Sequence, residues 1–250
     1  MTGHHAIVGL GPGGPEHRTP AAAAALAACD DVIGYGPYVA RVVARPGQVV
    51  HPTDNREELD RARHALALAA AGRRVAVVSS GDAGVFAMAA AVFEAAEHGE
   101  PAWRGLEIEV VPGISAMLAA ASRVGAPLGH DFCAVSLSDN LKPWPLVLRR
   151  LRAAAEAGFA MAFYNPVSRA RPWQLGAAFD LLREMLPGDV PVMFVTAATR
   201  AEERVALARL DAADPAQADM RTLVIVGSTE TRVVERTGGG AWVYSPRSAS

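Results

Sequence analysis

The sequence predicts an α/β fold of two α/β domains in tandem, with a mostly parallel sheet in residues 1–118 and a mixed sheet in residues 119–250. Three observations predict it. Short apolar runs alternate with helix-like segments through nearly all 250 residues, which is chain enough for two cores. A break at Pro112-Gly113 and a helix near 115–123 mark the joint. Two strand-like runs late in the chain follow one another without an intervening helix, which points to a mixed rather than a purely parallel second sheet.

Taken in order, residues 6–10 form an apolar strand that Gly9-Leu10-Gly11-Pro12-Gly13-Gly14-Pro15 stops. Thr19-Pro20 reads as an N-cap and first helical residue, opening an alanine-rich helix that runs to Cys29. Residues 32–35 form the second strand. Asp54, with Glu57 three residues on, opens an amphipathic helix that Gly72 closes. A strand at 74–79, a helix at 83–98 and a strand at 107–111 complete the first domain. The second takes strands at 132–137, 159–164, 190–196, 204–210 and 222–227, with helices at 145–157 and 173–186. Residues 238–250 are expected to be loosely ordered.

A net charge of −2 offers no basic face for nucleic acid. No apolar run nears the roughly 20 residues that span a bilayer. Met1-Thr2-Gly3-His4-His5 has no basic leader, so a soluble, cytoplasmic protein is expected. Cys29 and Cys133, the only cysteines, have neither disulfide-framework nor metal-ligand spacing, and no metal is expected. Lys142 is the only lysine. GC-rich coding accounts for that bias, and arginine also suits bidentate pairing with ligand carboxylates.

Gly9, Gly11 and Gly14 match the dinucleotide fingerprint after a strand, yet the match fails. Pro12 and Pro15 remove N–H donors where a pyrophosphate needs them, and the helix cap comes later, at Thr19. The acidic pair Asp30-Asp31 precedes the second strand, whereas a ribose-binding acid belongs at its end. The glycines instead allow close approach of a ligand or a neighbouring segment.

This loop resembles the one that opens the class III tetrapyrrole (corrin/porphyrin) methyltransferases, and four more motifs follow in that family's order. Ser80-Gly81-Asp82-Ala83-Gly84-Val85-Phe86 resembles its Gly-Asp-Pro loop, and Pro112-Gly113-Ile114-Ser115-Ala116 its Pro-Gly-x-Ser/Thr-Ala turn. Tyr164-Asn165-Pro166 and the strand at 222–227 resemble its later cofactor-lining segments. Ala83 departs from the family proline, as in the branch that methylates carbon 17 of a corrin precursor. Gly34-Tyr35-Gly36-Pro37-Tyr38, residues 126–132 and 136–141, and Pro143-Trp144 resemble that branch too.

The resemblance implies a methyltransferase that uses S-adenosylmethionine, leaves S-adenosylhomocysteine, and holds the cofactor in a cleft between its domains. Its acceptor would be a tetrapyrrole: carbon 17 of precorrin-3B, with ring contraction to precorrin-4, in cobalamin biosynthesis. Pro12, Ser80, Gly81, Asp82, Val85, Ser115 and Ala116 take the cofactor-binding positions, and Asn165, Ala208 and Thr222 would wall the adenine. Tyr35, Tyr38, Ser138, Asn140, Lys142 and Trp144 are the substrate candidates. Asp139 or His130 would act as base in the contraction. Simpler readings stand beside these: Asp82 fixing its own loop, Ser115 capping a helix, and His130-Asp131 stapling a loop. Arg41, Arg45, Arg169, Arg171 and Arg200 either bind acceptor carboxylates or carry ordinary surface charge. The family's members are typically homodimers, and a homodimer is expected. A sister methyltransferase acting on another corrin carbon, and a non-catalytic tetrapyrrole carrier, are the rival readings; cofactor binding separates the carrier from the rest.

Overall fold

The computed structural model describes residues 3–54, 57–168 and 170–248, in two units, Met1–Ala116 and Met117–Ser250. The first carries five parallel strands: β1 (His4–Gly9), β2 (Asp31–Tyr35), β3 (Val49–Thr53), β4 (Val75–Ser79) and β5 (Glu107–Val111). Their spatial order is β3-β2-β4-β1-β5. The helices are α1 (Pro20–Ala28), the short α2 (Gly36–Val39), α3 (Glu58–Ala70) and α4 (Met88–His98). Alternation along β1 sets the layers. Ala6 and Val8 pack with Ala22 and Leu26 of α1, while Ile7 packs with Leu66 of α3 and Val92 of α4. Both faces are covered, as a parallel sheet requires. Thr19 caps α1 as expected, accepting the Ala22 N–H at 3.1 Å.

The chain leaves β1 toward β2 on one side and leaves β4 toward β5 on the other. The order therefore reverses between β1 and β4. In open α/β sheets the crevice outside the carboxyl ends at such a reversal is where ligands bind.

Helix α5 (Ala116–Val124) starts on the last residue of the first unit, and the second unit goes on with β6 (Gly125–Ala126), β7 (Phe132–Ser136), α6 (Trp144–Glu156), β8 (Ala160–Tyr164) and α7 (Gln174–Met185). Then come β9 (Pro191–Thr196), β10 (Arg204–Arg209), β11 (Thr222–Val226), β12 (Arg232–Glu235) and β13 (Ala241–Tyr244). The main sheet runs β10-β9-β11-β8-β7 and is mixed: β7 and β8 are parallel, and the other neighbours are antiparallel. Val147 and Leu151 of α6, with Phe179 and Leu182 of α7, pack on Met161, Phe163, Phe194 and Val224.

Three expectations are corrected. The helix expected from residue 83 starts at Met88, because Ser79 at the end of β4 accepts the Met88 N–H at 3.2 Å and residues 82–84 are held in a turn. The helix expected from Asp54 starts at Glu58. Asp54 N–H does bond to Glu57 Oε2 at 3.2 Å, and residues 55 and 56 lie outside the described residues. The described part of the tail, to residue 248, is not loose: β12 and β13 form a hairpin, and β13 pairs with β6. Val243 is buried there, and the Ser245 hydroxyl donates to the Pro127 carbonyl at 2.7 Å. Strand β3 and helix α2 were not foreseen. Among the described residues, no helix is long and apolar enough to cross a membrane.

Candidate active site

In the first unit, the loops after β1, β4 and β5 meet at the reversal point. Gly11 and Gly81 exchange backbone hydrogen bonds at 3.0 Å in each direction, both with φ near +70° (+72° and +70°). A Cβ on Gly113 would lie 2.3 Å from the Gly81 carbonyl oxygen and 2.8 Å from the Gly9 carbonyl carbon. Only glycine allows this approach of backbone to backbone.

Asp82 completes the junction. One carboxylate oxygen accepts the Gly84 N–H at 2.8 Å and the other the Gly113 N–H at 3.0 Å. Its carboxylate therefore fixes two loops, the simpler of the two readings offered for it. Arg41 has a similar task. Its guanidinium donates to the carbonyls of Gly11 (2.7 Å) and Gly13 (2.6 Å), and to Ser80 Oγ at 3.0 Å. Arg45 donates to the carbonyls of Ala27 (2.9 Å) and Cys29 (2.7 Å). Both arginines are structural staples. The other expected residues, Pro12, Ser80, Gly81, Val85 and Ser115, lie on these same loops, and Ala116 opens the helix that follows the last of them. Tyr35, closing β2, and Tyr38 meet edge to face, 5.2 Å between ring centroids.

The second unit gathers polar side chains beyond the carboxyl ends of β7 and β8. Asn165, held at φ +51°, donates to Ser136 Oγ at 3.0 Å. Arg171 donates to the hydroxyls of Ser138 and Ser168 and lies 3.7 Å from the Asp139 carboxylate. Gln174 donates to Asp139 Oδ1 at 3.2 Å. Asn140 follows in the same loop, its N–H reaching Ser138 Oγ at 3.5 Å. Trp144 meets Trp173 edge to face at 4.9 Å. Lys142 stands just before α6, where partial burial and then the nearby Arg150 push its ammonium below the usual range.

Not every expected residue joins this group. His130 precedes β7 and Asp139 follows it, so they stand at opposite ends of a strand about 13 Å long at the ordinary rise. His130 approaches only Asp131, at 3.9 Å, among the ion pairs of the described residues. Ala208 pairs with Val192 and Thr222 with Thr196, four residues along β9, about 13 Å. The structure does not bring these two together. The Thr222 hydroxyl is itself buried against Thr196 Oγ1 at 2.7 Å. Arg169 lies outside the described residues. Trp173 and Gln174 escaped sequence reading, and Ser136 was read only as part of the stretch 136–141. Gln174 was findable: it sits in phase with Ala178, Leu181 and Leu182 on the buried face of α7, where a polar residue calls for a reason.

These loops belong to a methyltransferase architecture with a known family. The chain is a member of the tetrapyrrole (corrin/porphyrin) methylases, whose family model matches residues 6–214. It is 58% identical over 247 residues to the precorrin-3B C(17)-methyltransferase of a Sinorhizobium species, covering 99% of this chain and 97% of that one. It is 43% identical to the probable cobalt-factor III C(17)-methyltransferase of Salmonella typhimurium, covering 91% and 93% respectively. The crystal structure of the methyltransferase CobJ superposes with a TM-score of 0.93 at 54% identity, over 98% of this chain and all of that one (100%). Uroporphyrin-III C-methyltransferase from Thermus thermophilus, solved with S-adenosylhomocysteine, gives a TM-score of 0.66 at 26% identity, covering 90% and 97%.

Proposed function

We propose that this protein transfers a methyl group from S-adenosylmethionine to carbon 17 of precorrin-3B and promotes ring contraction to precorrin-4, a step of cobalamin biosynthesis. The observation that carries this reading is the 58% identity, over 99% of the chain, to a precorrin-3B C(17)-methyltransferase. Identity falls to 43% against the cobalt-factor III enzyme, which favours the metal-free substrate.

The crevice suits the methyl donor. Three glycines keep Cβ atoms out of the junction, and Ala116 opens α5, whose first N–H groups form the positive end of a helix. Bound there, S-adenosylmethionine supplies an electrophilic methyl carbon. In the first unit, Pro12, Ser80, Gly81, Val85, Ser115 and Ala116 hold it chiefly by backbone, with Asp82 and Arg41 fixing their loops. Of the residues expected to wall the adenine, Asn165 and the backbone at Thr222 keep that assignment, and Ala208, at the other end of β9, loses it. Tyr35, Tyr38, Ser138, Asn140, Lys142 and Trp144 contact the acceptor.

The new bond forms at carbon 17 as the sulfur–methyl bond breaks. The chain's part is to align the two carbons and exclude water. As the ring bond migrates, the carbon-20 hydroxyl gives its proton to Asp139, which Arg171 and Gln174 orient. His130 stands apart from this group and is not assigned the proton. The active form is proposed as a cytoplasmic homodimer. Val205 and Leu207, exposed on the edge strand β10, are surface that a second copy would cover, and sedimentation tests this.

Mass and optical spectra of the product from precorrin-3B and S-adenosylmethionine test the reading. One added methyl with a contracted chromophore is expected. Asp139→Asn should methylate while slowing contraction by about 10²–10⁴-fold. Methylation without contraction by the unaltered protein would remove the base role; tight cofactor binding without reaction would move the substrate to another corrin intermediate.

A further inference from the structure

Away from these loops, on the first unit, three side chains form a chain whose geometry has another use. Asp31, at the start of β2, is buried and accepts a hydrogen bond from His51 Nε2 of β3 at 2.8 Å. His51 Nδ1 lies 3.5 Å from Nε2 of His64, an exposed residue on α3. The rings are tilted by 66°, their centroids 5.1 Å apart. Head-on alignment of nitrogens at that separation would set the centroids farther apart. The two nitrogens therefore do not meet head-on.

We propose that His51 Nδ1 and His64 Nε2 form a two-histidine site for a first-row divalent transition metal such as Zn²⁺, Ni²⁺ or Cu²⁺. At a metal–imidazole bond of about 2.1 Å, nitrogens 3.5 Å apart subtend roughly 115° at the ion, close to the tetrahedral angle. Asp31 fixes the chemistry. Its buried carboxylate is held by the Arg73 guanidinium, which donates from Nε at 2.7 Å, as well as by His51. Asp31 engages Nε2 of His51, which leaves Nδ1 on the side of His64. This is the carboxylate–histidine–metal arrangement that orients a ligand and raises its basicity.

No group of three or more His, Cys, Asp or Glu among the described residues is set to hold a metal. The site accordingly offers two protein donors, and water fills the remaining positions. Imidazole donors favour these metals over Mg²⁺, with Cu²⁺ tightest. A bound ion would tie edge strand β3 to α3 and stabilise the folded unit by mass action.

Isothermal titration of the full chain with ZnCl₂, NiCl₂ and CuCl₂ tests this, with MgCl₂ as control. One site is expected for each transition metal and none for Mg²⁺. His64→Ala, an exposed change that leaves the fold intact, should weaken binding at least about 30-fold, and Asp31→Asn by about 10–100-fold. The Cu²⁺ resonance spectrum should show coupling to two nitrogens, and to one in His64→Ala. Equal affinity in the unaltered protein and His64→Ala, or no binding in either, overturns the proposal.

Discussion

The loops at the carboxyl ends of β1, β4 and β5 are held backbone against backbone, whereas those beyond β7 and β8 are held by side chains. In the first cluster Gly9, Gly81 and Gly113 touch without Cβ atoms, and Asp82 and Arg41 bond almost wholly to main-chain groups. In the second, Ser136, Ser138, Asp139, Asn165, Arg171 and Gln174 bond largely to one another. A backbone junction has one geometry and resists substitution. A side-chain network can be altered one group at a time, so it is where acceptor specificity and proton transfer can be tuned without unmaking the fold.

The first break in this contrast would come at Gly113. A Cβ only 2.3 Å from the Gly81 carbonyl oxygen must displace backbone, so Gly113→Ala should lose about 3 kcal/mol in urea melts and lose cofactor binding in titrations. A variant that melts normally would show that the junction is not rigid.

A pH scan sharpens the comparison from inside the first unit. His5, on the same face of β1 as Ile7, is fully buried, and neither ring nitrogen has a hydrogen-bond partner among the described residues. Burial, then the neighbouring His4, lowers its pKa from 6.5 to about 4. Between these values the unfolded chain binds a proton that the native state refuses. The stability tied to neutral His5 is complete above pH 6.5 and is lost as pH falls to about 4, on the order of 3 kcal/mol. His5→Leu should flatten that acid limb in melts taken from pH 7 to pH 4; an unchanged limb would place the acid sensitivity elsewhere.

Arg41→Met should cost about 2 kcal/mol, because several loop acceptors lose their donor. Cofactor affinity should fall in step with it. Loss of acceptor binding alone, with stability kept, would return Arg41 to the role of a carboxylate ligand. The smallest effect belongs to the second cluster. Asp139→Asn should shift the melting midpoint by less than about 1 kcal/mol, since the amide oxygen can still accept from Gln174. A large destabilisation there would erase the distinction between the clusters.

Much of this was legible beforehand. Proline and glycine punctuation placed the loops after β1, β4 and β5, and Thr19 announced its helix, because turn chemistry and capping act within a few residues. The late pair of strands with no helix between them was readable for the same local reason. The second cluster was only half visible: Ser138, Asp139, Asn140 and Asn165 drew notice, while Gln174 and Trp173 did not. His130 looked as inviting as Asp139 in the sequence, and only the run of β7 between them separates the two.

The sequence by itself determined the α/β class, the two sheets and the motif loops, through periodicity, capping and glycine freedom, all of which operate between near neighbours. Tertiary structure alone decided that Arg41 staples the glycine loop 28 residues before it, and that the tail pairs with β6. It alone brought His64 to His51, and it separated Ala208 from Thr222. Such contacts depend on how whole elements pack and pair in register, and no local pattern encodes which distant partner a side chain will meet.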